Sequence, residues 1–367
     1  MTWLGVTDLS SPSFGRAVAA GRLATMSVDP ENGVNGDLLT RGSLLVEIDY
    51  SIDGHAPAML LHFETSEDWK RRFTIYLNAD YSLSVETQQG RARSYVRITD
   101  TPTAPTGKAR LTYSWDAPRQ IGLFSLEDLE SGAIHQAVFQ APIPLPVIDA
   151  AAIMQSQSAV QVDNRICALA LSDQIEPVGP APTIAAGALV ETPAGPRPIE
   201  SLRMGDMIDT AARGPQQIRW IIKSELPALG HFAPICLRAP YLGLSRDITV
   251  AQDQHVVISG VEAEYNFGED SVLIAARQLT GLPAATVQTG CTTHLYYQIL
   301  LDNHECIRLS GAWCESLFVG HLAHSPEILA TTRLAAMSSS AVPVHHGFAR
   351  PVLRDYESRT LLAALIA

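Results

Sequence analysis

The stretch TIAAGALVETPAGPRPIESLRMGDMIDTAARGPQQIRWI, Thr183 to Ile221, decides how this chain is read. Short apolar segments alternate with turn residues. Gly195 and Pro196 turn the chain so that Ile199, Glu200 and Leu202 return toward its start. Gly205 and Asp206 turn it again before Met207 to Thr210. The pattern predicts two successive β-hairpins opening a domain at Thr183.

Downstream, strands are predicted at Gln217–Ile222, Ala233–Leu237, Ile248–Ala251, His255–Ser259, Thr293–Leu300 and His304–Leu309, with an apolar run at Ser271–Leu279. Only the end turns helical. Ser325 and Pro326 make a helix start. Leu353, Tyr356, Leu361 and Leu365 form an apolar stripe expected to pack on the same protein.

Upstream, LLVEIDY (44–50), AMLLHFE (58–64), RFTIYLN (72–78), SLSVET (82–87), YVRIT (95–99), ARLTYSW (109–115), QIGLFSLE (120–127) and IHQAVFQ (134–140) read as eight strands. Phe73, Ile75 and Leu77 share one face, the period of a half-buried strand. An antiparallel sandwich or jelly roll is expected. Six prolines between 142 and 182 mark a connector, with one ordered strand expected at Ile166–Leu171. The chain therefore divides into a sandwich (1–150), a linker (151–182), an all-β domain (183–325) and a helical tail (326–367). The fold class is mainly β.

Composition narrows function. The 367 residues carry 38 acidic and 26 basic side chains, a formal charge of −12. That balance argues against nucleic-acid binding and against a polybasic membrane anchor. No stretch reaches the 18 or so apolar residues of a spanning helix. No Sec signal is read at the N-terminus, so localisation stays open between non-Sec export and the cytoplasm. The five cysteines (Cys167, Cys236, Cys291, Cys306, Cys314) show no C-x-x-C spacing and suit neither a zinc ribbon nor a disulfide scaffold.

Other catalytic signatures are missing: there is no G-x-S-x-G elbow, P-loop or H-E-x-x-H pair. Asp302, His304 and Glu305, with His294 upstream, are read as an exposed polar loop rather than a metal site. The acidic loop Asp29–Asp37 lacks calcium-loop spacing and is read as a solvated turn. No cofactor and no metal are expected.

The opening stretch closely resembles the Hint superfamily, shared by inteins and hedgehog autoprocessing domains, and is nearest to its bacterial stand-alone group. Gly187, Thr192, Gly195, Glu200, Leu202, Gly205, Asp206, Thr210 and Ile218-Arg219-Trp220 carry the resemblance. RDITVAQDQHVVI (246–258), EDSVLIAARQLTG (269–281) and YYQILLDNHECIRLSGAWCESLFVG (296–320) extend it, and part of the tail (349–354) is similar too.

The resemblance implies a chemistry. A Cys or Ser opening the domain attacks the preceding carbonyl. A block-two His, with a Thr or Ser three residues before it, polarises the peptide and protonates its amine. Here His255 takes the histidine position, Thr183 the nucleophile position and Gln252 the Thr/Ser position. The cleavage junction would be Pro182–Thr183. A Thr hydroxyl is a far weaker acid than a thiol, and its β-branching hinders attack. No C-terminal Asn of the intein type is evident. His255 can equally serve a structural role. Two functions stay open: a Hint fold kept as a binding or structural module, or autoproteolysis at Pro182–Thr183.

The N-terminal strand order, with Trp115-Asp116, resembles concanavalin A-like and laminin-G-like sandwiches. This implies a glycan or protein ligand, with Trp69 and Tyr81 as candidate stacking residues.

Overall fold

A computed structural model describes residues 3–8, 38–51, 57–67, 69–99, 106–156 and 159–366. The acidic loop 29–37 lies outside them. The chain forms two compact units, 1–179 and 180–367.

The first unit is a β-sandwich. Its six-stranded sheet runs in the order Trp3–Asp8, Ile166–Ser172, Arg41–Ser51, Thr106–Asp116, Ile121–Asp128, Ile134–Gln140. Its five-stranded sheet runs Val160–Val162, Ala58–Thr65, Arg71–Leu77, Leu83–Gln89, Ala92–Ile98. Every pairing within both sheets is antiparallel. Phe73 and Ile75 from one sheet and Tyr113, Trp115 and Phe124 from the other enter a single core. Trp115 satisfies its buried indole by donating Nε1–H to Leu39 O at 2.8 Å. Three neighbouring strands also bury Glu47, Arg110 and Glu127 in register. Arg110 donates to Glu47 Oε1 at 2.7 Å and to Glu127 Oε2 at 3.3 Å.

The linker expected over 151–182 is largely absent. Val147–Met154 is a helix, and Ile166–Ser172 is an interior strand between Trp3–Asp8 and Arg41–Ser51. Tertiary burial overrides the proline-and-alanine pattern: Ala168, Leu169 and Ala170 are all 0% exposed. The first unit therefore extends to Gly179.

The second unit has two sheets. One runs Trp220–Pro227, Thr293–Leu300, Ile184–Ala185, Ile248–Ala251, Pro234–Leu237, Ala285–Val287. The other contains Arg197–Pro198, Leu189–Val190, Cys306–Leu309, Ala312–Glu315, His255–Ser259 and Ser271–Ala275 in that order. The first predicted hairpin is present, with Leu189 opposite Pro198 and Gly195 at φ 102° in its turn. The second turns later than expected. Met207–Thr210 pairs with Gly214–Gln217, while Gly205 closes the open end by donating its N–H to Ile218 O.

A helix not foreseen, Val261–Phe267, caps the 255–275 hairpin and ends at Gly268 in the left-handed region. The tail carries the expected helices Pro326–Leu329 and Asp355–Ile366. Leu353 and Leu361 are buried in the unit's core, whereas Tyr356 and Leu365 face solvent. The tail also joins the second sheet: Leu273 N–H donates to Pro351 O and Leu353 N–H to Leu273 O. Among the described residues no helix is long and apolar enough to cross a membrane.

Candidate functional site

Ile184 sits in mid-sheet, paired with Val250 on one side and Tyr297 on the other. Thr183, immediately before it, is therefore held between the strands that supply its neighbours. Its carbonyl accepts the Ala251 N–H at 2.7 Å. Its hydroxyl donates to Gln254 Oε1 at 2.6 Å and accepts Gln298 Nε2–H at 3.0 Å. Gln254, 0% exposed, is fixed in turn by donating to His255 O at 2.9 Å. Pro182 is buried.

Gln252 is not the residue beside Thr183. It lies in the turn between Ile248–Ala251 and His255–Ser259, where its carbonyl accepts Arg277 N–H at 3.0 Å. Two glutamines that the family spacing does not single out, Gln254 and Gln298, hold the hydroxyl instead. They lie 71 and 115 residues from Thr183 in sequence.

His255 opens its strand one residue after Gln254. Its Nδ1 lies 2.5 Å from Glu315 Oε1, and its backbone N–H donates to the same oxygen at 3.2 Å. Glu315 ends the strand Ala312–Glu315, which pairs with the His255 strand through Val256 and Cys314. Burial favours the neutral acid, but attraction to His255, its hydrogen bond and the nearby His304 ring outweigh it and hold Glu315 at about 2. Burial likewise favours a neutral His255. The Glu315 carboxylate, its hydrogen bond and nearby Asp253 outweigh that and raise the ring above an ordinary histidine, with Arg277 opposing. Behind the turn, Asp253 binds His231 Nδ1 at 2.5 Å and also pairs with Arg277, which reaches Asp355 at 2.9 Å.

The polar loop expected at 302–305 is only half exposed. Asp302 faces solvent and pairs with Arg219 at 3.1 Å. His304 and Glu305 are buried, at 5% and 2% exposure. His304 Nε2 lies 3.4 Å from Glu315 Oε2, and Glu305 Oε1 meets Arg213 Nε at 2.9 Å. The reason is register: the strand beginning at Cys306 lies beside the strand ending at Glu315, so the preceding residues turn inward. His294 stacks on Tyr296 instead.

Sequence reasoning missed Glu315. Its signal was a single carboxylate inside the otherwise uncharged run Ala312–Leu317, because a buried carboxylate requires a partner. Among the described residues no group of three or more His, Cys, Asp or Glu could hold a metal ion. Burial makes four of the five thiols weaker acids. Burial pushes Cys167 up to about 11 and Cys306 to about 12, and it raises Cys314 and Cys236 as well. Cys291 is exposed.

No curated protein matches the chain. Among solved structures, the chain is similar to a bacterial intein-like domain from Clostridium thermocellum, with 11% identity over 37% of this chain and 99% of that one, at TM-score 0.27. It is also similar to the CBM40 of the Ruminococcus gnavus IT-sialidase, with 11% identity over 47% and 74%, at TM-score 0.26. The LG1–3 region of the laminin alpha2 chain aligns at 9% identity over 77% and 54%, with TM-score 0.24. The sequence itself matches a family, described as Hint domain, over residues 182–321. That span opens at the residue pair Pro182–Thr183 and takes in both sheets of the second unit, so the similarity to the Hint domain falls on the second unit.

Proposed function

We propose that the second unit is a Hint module in which self-cleavage at Pro182–Thr183 is arrested, and that the chain works as a binding or structural module. One observation carries this reading: the Thr183 hydroxyl gives its proton to a side-chain amide oxygen, Gln254 Oε1. A hydroxyl becomes a nucleophile when an adjacent base takes its proton. An amide oxygen is not such a base, and the second partner, Gln298 Nε2, is itself a donor. His255 turns Nδ1 to Glu315, an arrangement suited to delivering a proton. The nucleophilic half of the family chemistry is unactivated, while the proton-donating half is intact. The test is the intact mass of the purified chain followed over days, with and without hydroxylamine. A stable full-length mass supports arrest; accumulation of fragments 1–182 and 183–367 refutes it.

The intact His255–Glu315 pair favours a second reading, slow autoproteolysis. In it Thr183 Oγ1 loses its proton to solvent as it attacks the Pro182 carbonyl, His255 protonates the departing amine as the C–N bond breaks, and water hydrolyses the resulting ester to release the sandwich. Loss of any observed cleavage in His255→Ala would identify this route.

For the sandwich we propose a glycan or protein ligand. Trp69, Tyr81 and Tyr95 are 41%, 38% and 57% exposed and can present ring faces to a sugar. Arg71 lies 4.8 Å over the Trp69 ring. A glycan array probed with the full chain tests this, with Tyr95→Ala and Trp69→Ala as loss-of-binding variants.

A further inference from the structure

The tail beyond residue 321 lies outside the Hint match yet reaches the site through a chain of hydrogen-bonding groups. Ala349 N–H donates to His304 Nδ1 at 2.9 Å. A ring nitrogen that accepts an N–H carries no proton, so the proton of His304 is on Nε2. That nitrogen is buried with no well-formed hydrogen bond, and the Glu315 carboxylate lies 3.4 Å away. The other oxygen of Glu315 faces His255 Nδ1 at 2.5 Å. A carboxylate only accepts, so His255 carries its proton on Nδ1.

The tail is well placed for such a role. Phe348 stacks on Phe318 with ring centroids 4.0 Å apart, and both rings meet His304 edge-on. His345 anchors the same segment, accepting Val319 N–H on Nδ1 at 3.3 Å with Nε2 3.1 Å from Leu301 O. Pro351 and Leu353 are tied to Leu273 by backbone bonds.

We infer that the tail segment His345–Leu353 is a positioning element for His255. Ala349 sets the tautomer of His304, His304 orients Glu315, and Glu315 orients His255. Groups behind a working histidine commonly fix its ring and tautomer in this way. Asp253 and Arg277 are the other charged groups influencing His255. The inference rests on reading His255–Glu315 as the proton-donating half of a Hint site, but its test needs no cleavage.

The experiment is long-range ¹H–¹⁵N spectroscopy of the full chain, labelled on histidine ring nitrogens, from pH 5 to 9. At the alkaline end of that range the expected wild-type result is one neutral tautomer at each site, with the proton on Nδ1 of His255 and on Nε2 of His304. Ala349→Pro deletes the donor, and His304→Phe keeps the aromatic packing while deleting both nitrogens. Both are expected to lose the single-tautomer signature of His255 and shift its titration midpoint. His304→Gln, which retains an N–H for Glu315, is expected to restore the signature. The His231 signal monitors folding. If Ala349→Pro unfolds, the His304→Phe and His304→Gln pair decides. A wild-type His255 protonated on Nε2, or an unchanged tautomer and midpoint in His304→Phe, overturns the inference. Intact masses of the same samples report separately on whether the chain is arrested.

Discussion

Thr183 and Gln254 share a 2.6 Å hydrogen bond in which the hydroxyl is the donor. That direction matters more than its length. The hydroxyl proton points at an amide oxygen, which accepts a hydrogen bond but is too weak a base to take a proton, one residue before His255.

Thr183→Cys follows directly. A thiol of pKa about 8.5 is partly ionised near neutrality without help from a base. The variant is expected to cleave into 1–182 and 183–367, faster as the pH rises from 7 to 8.5. Hydroxylamine is expected to accelerate the process by trapping the thioester, and His255→Ala in the same background to suppress it. Adding Gln252→Thr is expected to change the rate little, since Gln252 sits in the turn and Gln254 touches Thr183. Mass spectrometry reads all four outcomes. A larger gain from Gln252→Thr than from Gln254→Ala would contradict the geometry.

Much of this architecture was legible. The alternation of Phe73, Ile75 and Leu77 marked a real strand, and Gly195 marked a real turn. What stayed hidden depended on register between distant strands. Gln298 reaches Thr183 because Ile184 pairs with Tyr297, a relation that no local pattern encodes. Ile166–Leu171 read as a strand inside a connector, yet its place in mid-sheet, between Trp3–Asp8 and Arg41–Ser51, is set by partners far away in sequence. Glu315 had a local signature, but its two histidine partners come from different strands and loops.

The His255–Glu315 pair predicts a bounded pH optimum for the second unit. Glu315 is lowered from 4.5 to about 2, so its contribution is complete above pH 4.5 and lost as the pH falls toward 2. His255 is raised above 6.5, so its contribution is complete below pH 6.5 and lost as the pH rises through the folded value. Together they contribute most between pH 4.5 and 6.5. Glu315→Gln leaves the histidine without its carboxylate and is expected to cost about 3–5 kcal/mol within that window. Urea unfolding of the second unit at several pH values measures this. An equal loss at pH 5.5 and pH 9 would remove the ion pair from the explanation.

His345 predicts the opposite slope. Burial lowers it from 6.5 to about 4, and its acceptor nitrogen faces the Val319 N–H, which leaves no room for a second proton. Between pH 4 and 6.5 the unfolded chain binds a proton there that the fold excludes, so this residue makes stability fall as pH falls through that range. His345→Gln keeps a donor and an acceptor without titrating. It is expected to flatten the acid limb while leaving stability at pH 8 closer to wild type. An unchanged slope below pH 6.5 would mean that His345 is protonated in the fold.

Arg110 offers a test confined to the sandwich. Its guanidinium is the shared cation for Glu47 and Glu127, and the Arg110 and Glu47 side chains are 5% and 2% exposed. Arg110→Met preserves length and packing but leaves two carboxylates facing each other across three strands. Removing one partner of a buried ion pair costs about 3–5 kcal/mol, because the remaining charge is neither solvated nor paired. The triple variant Glu47→Gln, Arg110→Met, Glu127→Gln removes the charges together. It is expected to recover most of the loss, since well-packed neutral replacements of a buried ionic group are often tolerated. Thermal unfolding of the single and triple variants distinguishes the cases. If the triple variant is no more stable than Arg110→Met, the cost lies in lost hydrogen bonds and packing rather than in stranded charge.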